Sequence, residues 1–483
     1  MNVLAIDQGT SSTKALVVAP GGEILAEAEA PVHPRATADG GVEQDPEELW
    51  SSVLEAGTAA RHRAAVPVQA VGLANQGETV LAWDPDSGLP LTAAISWQDR
   101  RAVDVTERLA GRADELQAIT GLPLDPYFAA PKMAWLRGRG HREGVVTTTD
   151  SWLLHRLSGT YVTDAATASR TMLLDLDRTV WSKAACGAFG LDPGSLPEVR
   201  PCAGVIGETK AFGSPLPLAG LAVDQQAALF AESCLAPGDA KCTYGTGAFL
   251  LTTVGTSPRR STSGLVACVA WRLGGETTYC LDGQVYTAGA AVSWLAELGL
   301  IGGPAELDVV GGRASSAEGA AFVPGLAGLA APFWRPTARG AFVGLSLATG
   351  RAQLVRAVIE GLAAAVAFLA RAAAEDLGRP LGRLRVDGGL TRSRLLMQAQ
   401  ADLLQTPVEV YPSPNATALG VAALARLGVG DATDAIEVTA GWAPSATYEP
   451  SISADKAASR LDAWRRAAEA TIALQGRGPE AIA

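Results

Sequence analysis

Two segments of this chain share one pattern, an apolar run followed by a Gly-Thr turn and a second apolar run. The first is LAIDQGTSSTKALVV at residues 4–18, and the second is KCTYGTGAFLLTTV at residues 241–254. Glycine lets a backbone approach a ligand closely, and the N–H and hydroxyl groups of such turns can bind phosphate oxygens. Two hairpins this far apart predict two related domains that hold one polyphosphate, and therefore an enzyme that uses ATP.

Length, charge and cysteine usage narrow the class of protein. The chain has 483 residues, which is enough for two or three domains. Its formal net charge of −11 disfavours nucleic acid and anionic membrane as partners. Six cysteines without a C-x-x-C pair and four dispersed histidines indicate reduced thiols, a cytoplasmic location and no His/Cys metal site. No signal peptide is expected, and the charges within and after 355–369 argue against a membrane span.

The order of predicted elements indicates an α/β protein built from two similar halves. Each half starts with a strand hairpin and continues with alternating strands and helices, which predicts mixed sheets flanked by helices and a cleft between the halves. The loop Pro237-Gly238-Asp239 is the candidate boundary. We therefore expect an N-terminal domain at 1–236, a C-terminal domain at 237–430 and a helical tail at 431–483 packed on both. Long helices are predicted at about 351–376 and 393–404.

Further segments carry a resemblance along almost the whole chain. They include NQGETVLAWDPDSGLPL, ISWQDRR, TGLPLDPYF, TDAATASRTMLLDL, GLAVDQQAALF, TYGTGAFLL and LRVDGGLTRSRLLMQAQADLL. In this order they resemble the FGGY carbohydrate kinases, and among them most closely the glycerol kinases. The resemblance implies the duplicated actin-like, ribonuclease-H-like ATPase fold, with ATP and Mg²⁺ as cofactors. It also implies a small polyol as substrate and a homodimer or homotetramer.

Asp224 is the candidate general base. Transfer of a phosphoryl group to an alcohol needs a base near the attacking hydroxyl, and a carboxylate at the end of a strand can serve. The pattern alone leaves a helix-capping aspartate as an equal alternative. The resemblance assigns the base to Asp224, which stands in GLAVDQQ, and places Gln225 against the substrate.

The hairpins supply the candidate phosphate and metal ligands. Asp7 can hold Mg²⁺ through water, and the alternative for this segment is an ordinary hairpin with polar turn residues. The residues expected to contact the phosphates are Thr10, Ser11, Ser12, Lys14, Thr246 and Gly247.

The resemblance also implies an adenosine site. Gly388 and Gly389 would let a flat ring approach, with a ligand-free strand–helix turn as the alternative, and Gly289 would contact the nucleotide through its backbone. Ser293 and Ser393 stand where the family usually has Gln and Asn. We therefore expect ATP binding with altered details of base recognition.

The acceptor site implied by the resemblance contains one unusual residue. Its members are Gln76, Gly77, Glu78, Trp97, Tyr127, Asp224, Gln225 and Phe249. Gly77 stands where glycerol kinases carry an Arg that holds substrate hydroxyls, whereas Glu78 is kept. The loss of this side chain predicts room for a longer or differently branched polyol, such as a four- or five-carbon sugar alcohol. For Trp97 and Phe249 the alternative is ordinary core packing.

Other functions stay open at this level. One is a ketose or pentulose kinase of the same family, another is an actin-like ATPase without a small-molecule acceptor, and a third is a degenerate kinase that acts as a sensor. The retained Asp7 and Asp224 argue against the sensor. The loop at 212–215 lacks the Arg of the fructose bisphosphate site of some bacterial glycerol kinases, so we expect no inhibition by that ligand.

Overall fold

Strands are distributed over both halves of the chain. The structure is a computed structural model that describes residues 1–38 and 40–475. The strands of the first half are β1 (Val3–Gln8), β2 (Ser12–Val18), β3 (Ile24–Pro31), β4 (Arg35–Ala36), β5 (Val42–Gln44), β6 (Ala70–Asn75), β7 (Val80–Trp83), β8 (Ala94–Ile95), β9 (Val145–Thr148), β10 (Val162–Asp164), β11 (Leu174–Asp175), β12 (Val180–Trp181), β13 (Glu198–Arg200), β14 (Ala203–Thr209) and β15 (Leu216–Val223). Those of the second half are β16 (Ala240–Tyr244), β17 (Ala248–Gly255), β18 (Val266–Leu273), β19 (Glu276–Val285), β20 (Ala321–Val323), β21 (Ala341–Val343), β22 (Leu384–Asp387), β23 (Val408–Val410) and β24 (Ala446–Tyr448).

Helices alternate with these strands. They are α1 (Pro46–Ala64), α2 (Val103–Arg108), α3 (Ala113–Thr120), α4 (Ala129–Gly138), α5 (Thr149–Ser158), α6 (Ala165–Ser169), α7 (Lys183–Ala188), α8 (Asp224–Ala231), α9 (Gly289–Glu297), α10 (Leu307–Gly311), α11 (Arg351–Leu377), α12 (Arg394–Leu404), α13 (Ala416–Gly428), α14 (Ala435–Thr439) and α15 (Ala454–Gln475). Short 3-10 helices occupy Ala110–Arg112, Pro193–Ser195, Pro304–Glu306 and Gly389–Arg392.

One mixed sheet runs through both halves. Within the described residues its thirteen strands follow the order β24-β23-β22-β16-β17-β19-β18-β14-β15-β6-β1-β2-β3. In the first half the antiparallel hairpin β1–β2 has β6 parallel beside it, and in the second half the hairpin β16–β17 has β22 parallel beside it. The halves meet at the pair Ala203–Leu273 between β14 and β18. The predicted duplicated α/β architecture is therefore confirmed.

Small residues let α13 lie directly on the first half of the sheet and on α8. A Cβ at Gly420 would lie 1.9 Å from the carbonyl oxygen of Ala227, and a Cβ at Gly72 would lie 2.6 Å from that of Val421. Side chains larger than hydrogen at these points would separate the layers. Since α8 begins at Asp224, this close packing fixes the position of the candidate base.

The long apolar helix α11 is a core helix. It is long and apolar enough to cross a membrane by length and composition, but 78% of its most apolar window is buried inside the protein. It packs against α12 and β20 in the second half. Its bounds match the helix predicted at about 351–376.

The C-terminal region contains more than the predicted helices. The strand β24 pairs antiparallel with β23 and extends the edge of the sheet, so the segment predicted as a helical tail also contributes a strand. The indole N–H of Trp464 on α15 donates to the carbonyl oxygen of Phe322 at 2.9 Å, which fastens this helix to β20. Residues 476–483 of the predicted tail lie outside the described residues.

Candidate active site

Both Gly-Thr hairpins line one cavity of about 250 Å³. The predicted residues that it brings together are Asp7, Thr10, Ser11, Ser12, Lys14, Gln76, Gly77, Glu78, Trp97, Tyr127, Asp224, Gln225, Thr246, Gly247 and Phe249. The rest of the lining consists of Gly9, Arg170, Val223, Gln226, Thr243 and Gly245. The phosphate, metal, base and acceptor candidates therefore share one space, while the adenosine candidates lie outside its lining.

Three parallel strands deliver the polar groups on one side of this cavity. Gln8 of β1 is level with Asn75 of β6, and Asn75 is level with Val223 of β15. Asp7, Gln76 and Asp224 therefore emerge at the carboxyl ends of neighbouring strands, which is where open α/β sheets bind ligands.

The two candidate carboxylates have raised pKa values. Burial, together with the charge of Asp224, raises the pKa of Asp7 to about 7, although Lys14 opposes the shift. Burial, together with the charge of Glu78, raises the pKa of Asp224 to about 6. A carboxylate with such a pKa takes up a proton more readily than an exposed aspartate, which suits a general base.

The two carboxylate oxygens of Asp224 have different surroundings. It is the first residue of α8, and its Oδ1 accepts a hydrogen bond from the Gln225 N–H at 2.7 Å. Among the described residues its Oδ2 has no hydrogen-bond partner. The residue before α8 is Val223 and no side chain caps this helix, so the structure does not support the capping alternative for Asp224. The Oδ2 oxygen can accept a proton from a ligand.

The residues fit a hydrated Mg²⁺ ion rather than a protein-enclosed metal. Within 1–38 and 40–475, no group of three or more His, Cys, Asp or Glu side chains is arranged to hold a metal. Mg²⁺ is usually held by one or two carboxylates together with phosphates and water. Asp7, which lines the cavity beside the candidate phosphate contacts, is such a carboxylate.

Trp97 joins the acceptor side of the cavity to the first phosphate hairpin. Its indole N–H donates to Thr10 Oγ1 at 2.8 Å. Its ring packs edge-on against Tyr127 and Phe249, with centroid distances of 6.1 Å in both cases. Because Trp97 is only half-buried and lines the cavity, core packing alone does not describe it.

Glu78 is buried in a conformation that few side chains adopt. Its φ is +57° and its relative exposure is 4%. A non-glycine residue in the left-handed region costs free energy and persists where the surrounding contacts over-determine it. The main contact is the Arg170 guanidinium, whose Nε donates to Glu78 Oε1 at 2.5 Å.

Arg170 and Lys241 are two cavity-side residues that the sequence reasoning did not select. Arg170 lies in ASRTM, where one charged residue stands among small and apolar residues, and this was the available signal. Lys241 is fully buried, and its Nζ donates to Gln225 Oε1 at 2.6 Å and to Thr243 Oγ1 at 2.7 Å. This contact fixes the amide of Gln225 beside Asp224.

Gly77 lines the cavity, as expected for a residue of the acceptor site. A Cβ at this position would lie 3.0 Å from Cγ2 of Val223, so a larger residue would press on the strand before Asp224. The acceptor side nevertheless keeps a cation, because Arg170 belongs to the same lining. The cavity that Gly77 lines is therefore also lined by a guanidinium that comes from another segment.

Gly289 and Gly388 pack against the second hairpin. A Cβ at Gly289 would lie 2.6 Å from the carbonyl oxygen of Gly245, to which the Gly289 N–H donates at 2.9 Å. Gly388 has a φ of +93°, and a Cβ there would lie 2.5 Å from the carbonyl oxygen of Tyr244. Both glycines are thus required by the backbone of this hairpin, whether or not a nucleotide also touches them.

The remaining adenosine candidates differ in exposure. Ser393 caps α12, since its Oγ accepts from the Leu396 N–H at 3.1 Å, and its hydroxyl also bonds to Asp308. Gly389 and Ser293 are exposed. The hydroxyl of Ser393 is therefore already used within the protein, whereas Ser293 and Gly389 are accessible to a ligand.

Comparison with known proteins agrees with this geometry. Residues 2–231 match the N-terminal domain of the FGGY family of carbohydrate kinases, and residues 240–428 match its C-terminal domain. Glycerol kinases of Aromatoleum aromaticum and Thermus brockianus are 41% and 42% identical to this chain, and each comparison covers 97% of this chain and 98% of the relative. The crystal structure of Plasmodium falciparum glycerol kinase with ADP superposes with a TM-score of 0.90 at 30% identity, covering 97% of this chain and 98% of that one. The chain therefore belongs to the FGGY family of carbohydrate kinases.

Proposed function

We propose that this chain transfers the γ-phosphoryl group of ATP to a hydroxyl of glycerol or a related small polyol, with Asp224 as the general base. The observation that carries the proposal is the single cavity lined by both phosphate hairpins, Asp224 and the acceptor candidates. The full-length similarity to glycerol kinases supports the reaction class.

The proposed reaction is an in-line phosphoryl transfer. The acceptor oxygen forms a bond to the γ-phosphorus while the bond from that phosphorus to the β–γ bridging oxygen breaks, and ADP leaves. The acceptor proton passes to the free oxygen of Asp224. N–H and hydroxyl groups of the two hairpins, including those of Thr10 and Thr246, stabilise the charge on the transferring group.

Mg²⁺ has a proposed place at Asp7, through water, with Asp224 nearby. When bound, it would neutralise charge on the β- and γ-phosphate oxygens. Lys14, which is opposite Asp7 in the β1–β2 register, adds a second positive charge on the same side. A cation held at Asp7 would also lessen the mutual repulsion of the Asp7 and Asp224 charges.

The acceptor would lie against the aromatic wall formed by Trp97, Tyr127 and Phe249, with its hydroxyls toward Glu78 and Gln225. Flat rings against carbon atoms and polar groups against hydroxyls are a common way to bind a polyol. The absence of a side chain at Gly77, which lines the cavity, supports our more specific proposal, that an acceptor longer than glycerol is preferred.

A panel of acceptors tests both the general proposal of a polyol kinase and the more specific proposal of a longer acceptor. Initial rates of ADP release would be measured with glycerol, tetritols, pentitols and pentuloses. The polyol proposal predicts stimulation by at least one sugar alcohol, and the more specific proposal predicts that a four- or five-carbon polyol has the highest kcat/KM. If glycerol is the best acceptor, the longer-acceptor proposal is wrong. If a pentulose is best, the chain is a ketose kinase, and if nothing stimulates ADP release, the kinase proposal fails.

Several further features belong to the same proposal. The adenosine end of ATP would lie near Gly289, Gly388 and Gly389, beside the second hairpin. The boundary after residue 236, the cytoplasmic location, the homodimeric or homotetrameric state and the absence of fructose bisphosphate inhibition stay predictions from the sequence. Size-exclusion chromatography with light scattering, and rates measured with and without that bisphosphate, test the assembly and the inhibition.

A further inference from the structure

One buried guanidinium has partners in both halves of the molecule. Arg170 follows α6 in the N-terminal half and is 4% exposed. Its Nε donates to Glu78 at 2.5 Å and its Nη2 to the Tyr127 hydroxyl at 3.2 Å, both within the N-terminal half. Its Nη1 donates to the carboxylate of Asp282, which lies on β19 in the C-terminal half. The acceptor candidates are therefore connected to the other half through one side chain.

Asp282 leads directly to the second phosphate hairpin. It is level with Leu251 of β17, and β17 is the second strand of that hairpin. Three residues further along β19, the carbonyl oxygen of Val285 lies against Gly247, where a Cβ would be 2.7 Å away. A displacement of Asp282 would therefore move the backbone that supports Gly247.

The arrangement is sensitive to the loss of any partner. Asp282 is 1% exposed and Glu78 is 4% exposed, and the Arg170 guanidinium forms an ion pair with both carboxylates. Removing one member of a buried ion pair leaves the other charge uncompensated. Asp282 Oδ1 has no hydrogen-bond partner within the described residues, so Arg170 is the main polar contact of this carboxylate.

We infer that Arg170 is a positioning residue that couples acceptor binding at Glu78 and Tyr127 to the placement of the second phosphate hairpin through Asp282. The inference rests on the proposed function, because it requires an acceptor at Glu78 and a nucleotide at the hairpins. An acceptor that orders Glu78 and Tyr127 also orders Arg170, and through Asp282 it favours the hairpin geometry that binds phosphate. By linkage, acceptor and nucleotide then raise each other's affinity by the same factor.

The substitution Asp282→Asn separates this coupling from the binding sites themselves. It keeps the size of the side chain and removes the charge that faces Arg170. Asp177→Asn is the matched control, because Arg260 and Asp177 also join the two halves, at 2.9 Å, but with side-chain exposures of 29% and 58%. The affinity of the non-hydrolysable analogue AMP-PNP with Mg²⁺ would be measured by titration calorimetry, with and without saturating glycerol.

We expect glycerol to tighten AMP-PNP binding about fivefold or more in the unmodified protein and in Asp177→Asn, and less than about twofold in Asp282→Asn. The affinity for AMP-PNP alone should stay within about threefold in all three proteins. Arg170→Lys keeps the charge but loses the fork that reaches three partners, so it should lose the coupling as well. It also serves as the second variant if Asp282→Asn does not fold.

The inference is overturned if Asp282→Asn, or Arg170→Lys in its place, keeps the coupling of the unmodified protein. It is also overturned if the unmodified protein phosphorylates glycerol but shows no coupling. Phosphorylation of glycerol by the same unmodified sample tests the proposed function separately. A protein that phosphorylates glycerol while Asp282→Asn retains full coupling refutes the inference alone, and a protein that phosphorylates no acceptor refutes the proposed function.

Discussion

At the scale of single residues, two carboxylates lie in buried positions where the charged form costs free energy. Asp7 and Asp224 have pKa values raised to about 7 and about 6, mainly by burial. A protein gains no stability from charging such groups, so their presence in the cavity indicates a chemical use. Two predictions follow from Asp224.

The first concerns the pH dependence of activity. A base must be unprotonated to accept the acceptor proton, and kcat/KM reports the free enzyme. With MgATP and the acceptor both held well below saturation, the rate reports the free enzyme, and we expect it to fall as the pH drops below about 6, where Asp224 becomes protonated. A profile that stays flat down to pH 5 would show that no group with this pKa takes part. Buffers of constant ionic strength serve as the control.

The second concerns stability. Because the pKa of folded Asp224 is raised above 3.8, its neutral form stabilises the fold, and this contribution is lost as the pH rises through about 6. Asp224→Asn removes the charge and keeps an acceptor for the Gln225 N–H. It should therefore stabilise the fold by about 2 kcal/mol at pH 8 and by less at pH 5. Thermal melts at both pH values check this, and an equal or lower melting temperature at pH 8 would contradict it.

The sequence predicts residues that belong to recognisable local patterns, and misses those defined by distant contacts. Asp224 stands at a strand end before a helix, and the structure places it in the cavity as that pattern requires. Arg170 contacts Glu78 and Asp282, which are 92 and 112 residues away along the chain. Such a contact depends on the packing of both halves, and its only local signal is one charged residue among small and apolar residues.

At the scale of elements, the two hairpins and their neighbouring parallel strands are the repeated unit. Apolar runs around Gly-Thr turns identify β1–β2 and β16–β17 from the sequence because the turn and both strands are contiguous. The addition of β24 to the sheet edge and the pairing of β14 with β18 are long-range, so local patterns do not predict them.

The packing of α8 against α13 gives a prediction at the scale of elements. A Cβ at Gly420 would lie 1.9 Å from the Ala227 carbonyl oxygen, so Gly420→Ala must push the two helices apart. Overpacking of this kind typically costs about 1–3 kcal/mol. We expect a lower melting temperature and reduced kcat, because α8 carries Asp224.

Gly187→Ala is the matched control for this substitution. A Cβ at Gly187, within α7, meets no atom within 4 Å, so the melting temperature and activity should not fall. If Gly420→Ala has the same melting temperature and the same kcat as Gly187→Ala, the contact between α8 and α13 does not hold Asp224 in place.

At the scale of the whole molecule, the cavity between the hairpins depends on both halves. Tyr127, Trp97 and the first hairpin come from the N-terminal half, whereas Phe249 and the second hairpin come from the C-terminal half. Ligands that bridge the halves should therefore stabilise the folded protein by mass action. We expect AMP-PNP with Mg²⁺ and an acceptor to raise the melting temperature more together than AMP-PNP with Mg²⁺ does alone. Equal melting temperatures in the two conditions would contradict a shared site.

The most direct test of the account is single-turnover phosphorylation of the best acceptor by Asp224→Asn compared with the unmodified protein. We predict that the rate of phosphoryl transfer falls about 100-fold or more, while the affinity for AMP-PNP changes by less than about threefold. A variant that binds the nucleotide normally and still transfers the phosphoryl group at more than about a tenth of the original rate would contradict the role of Asp224 as general base.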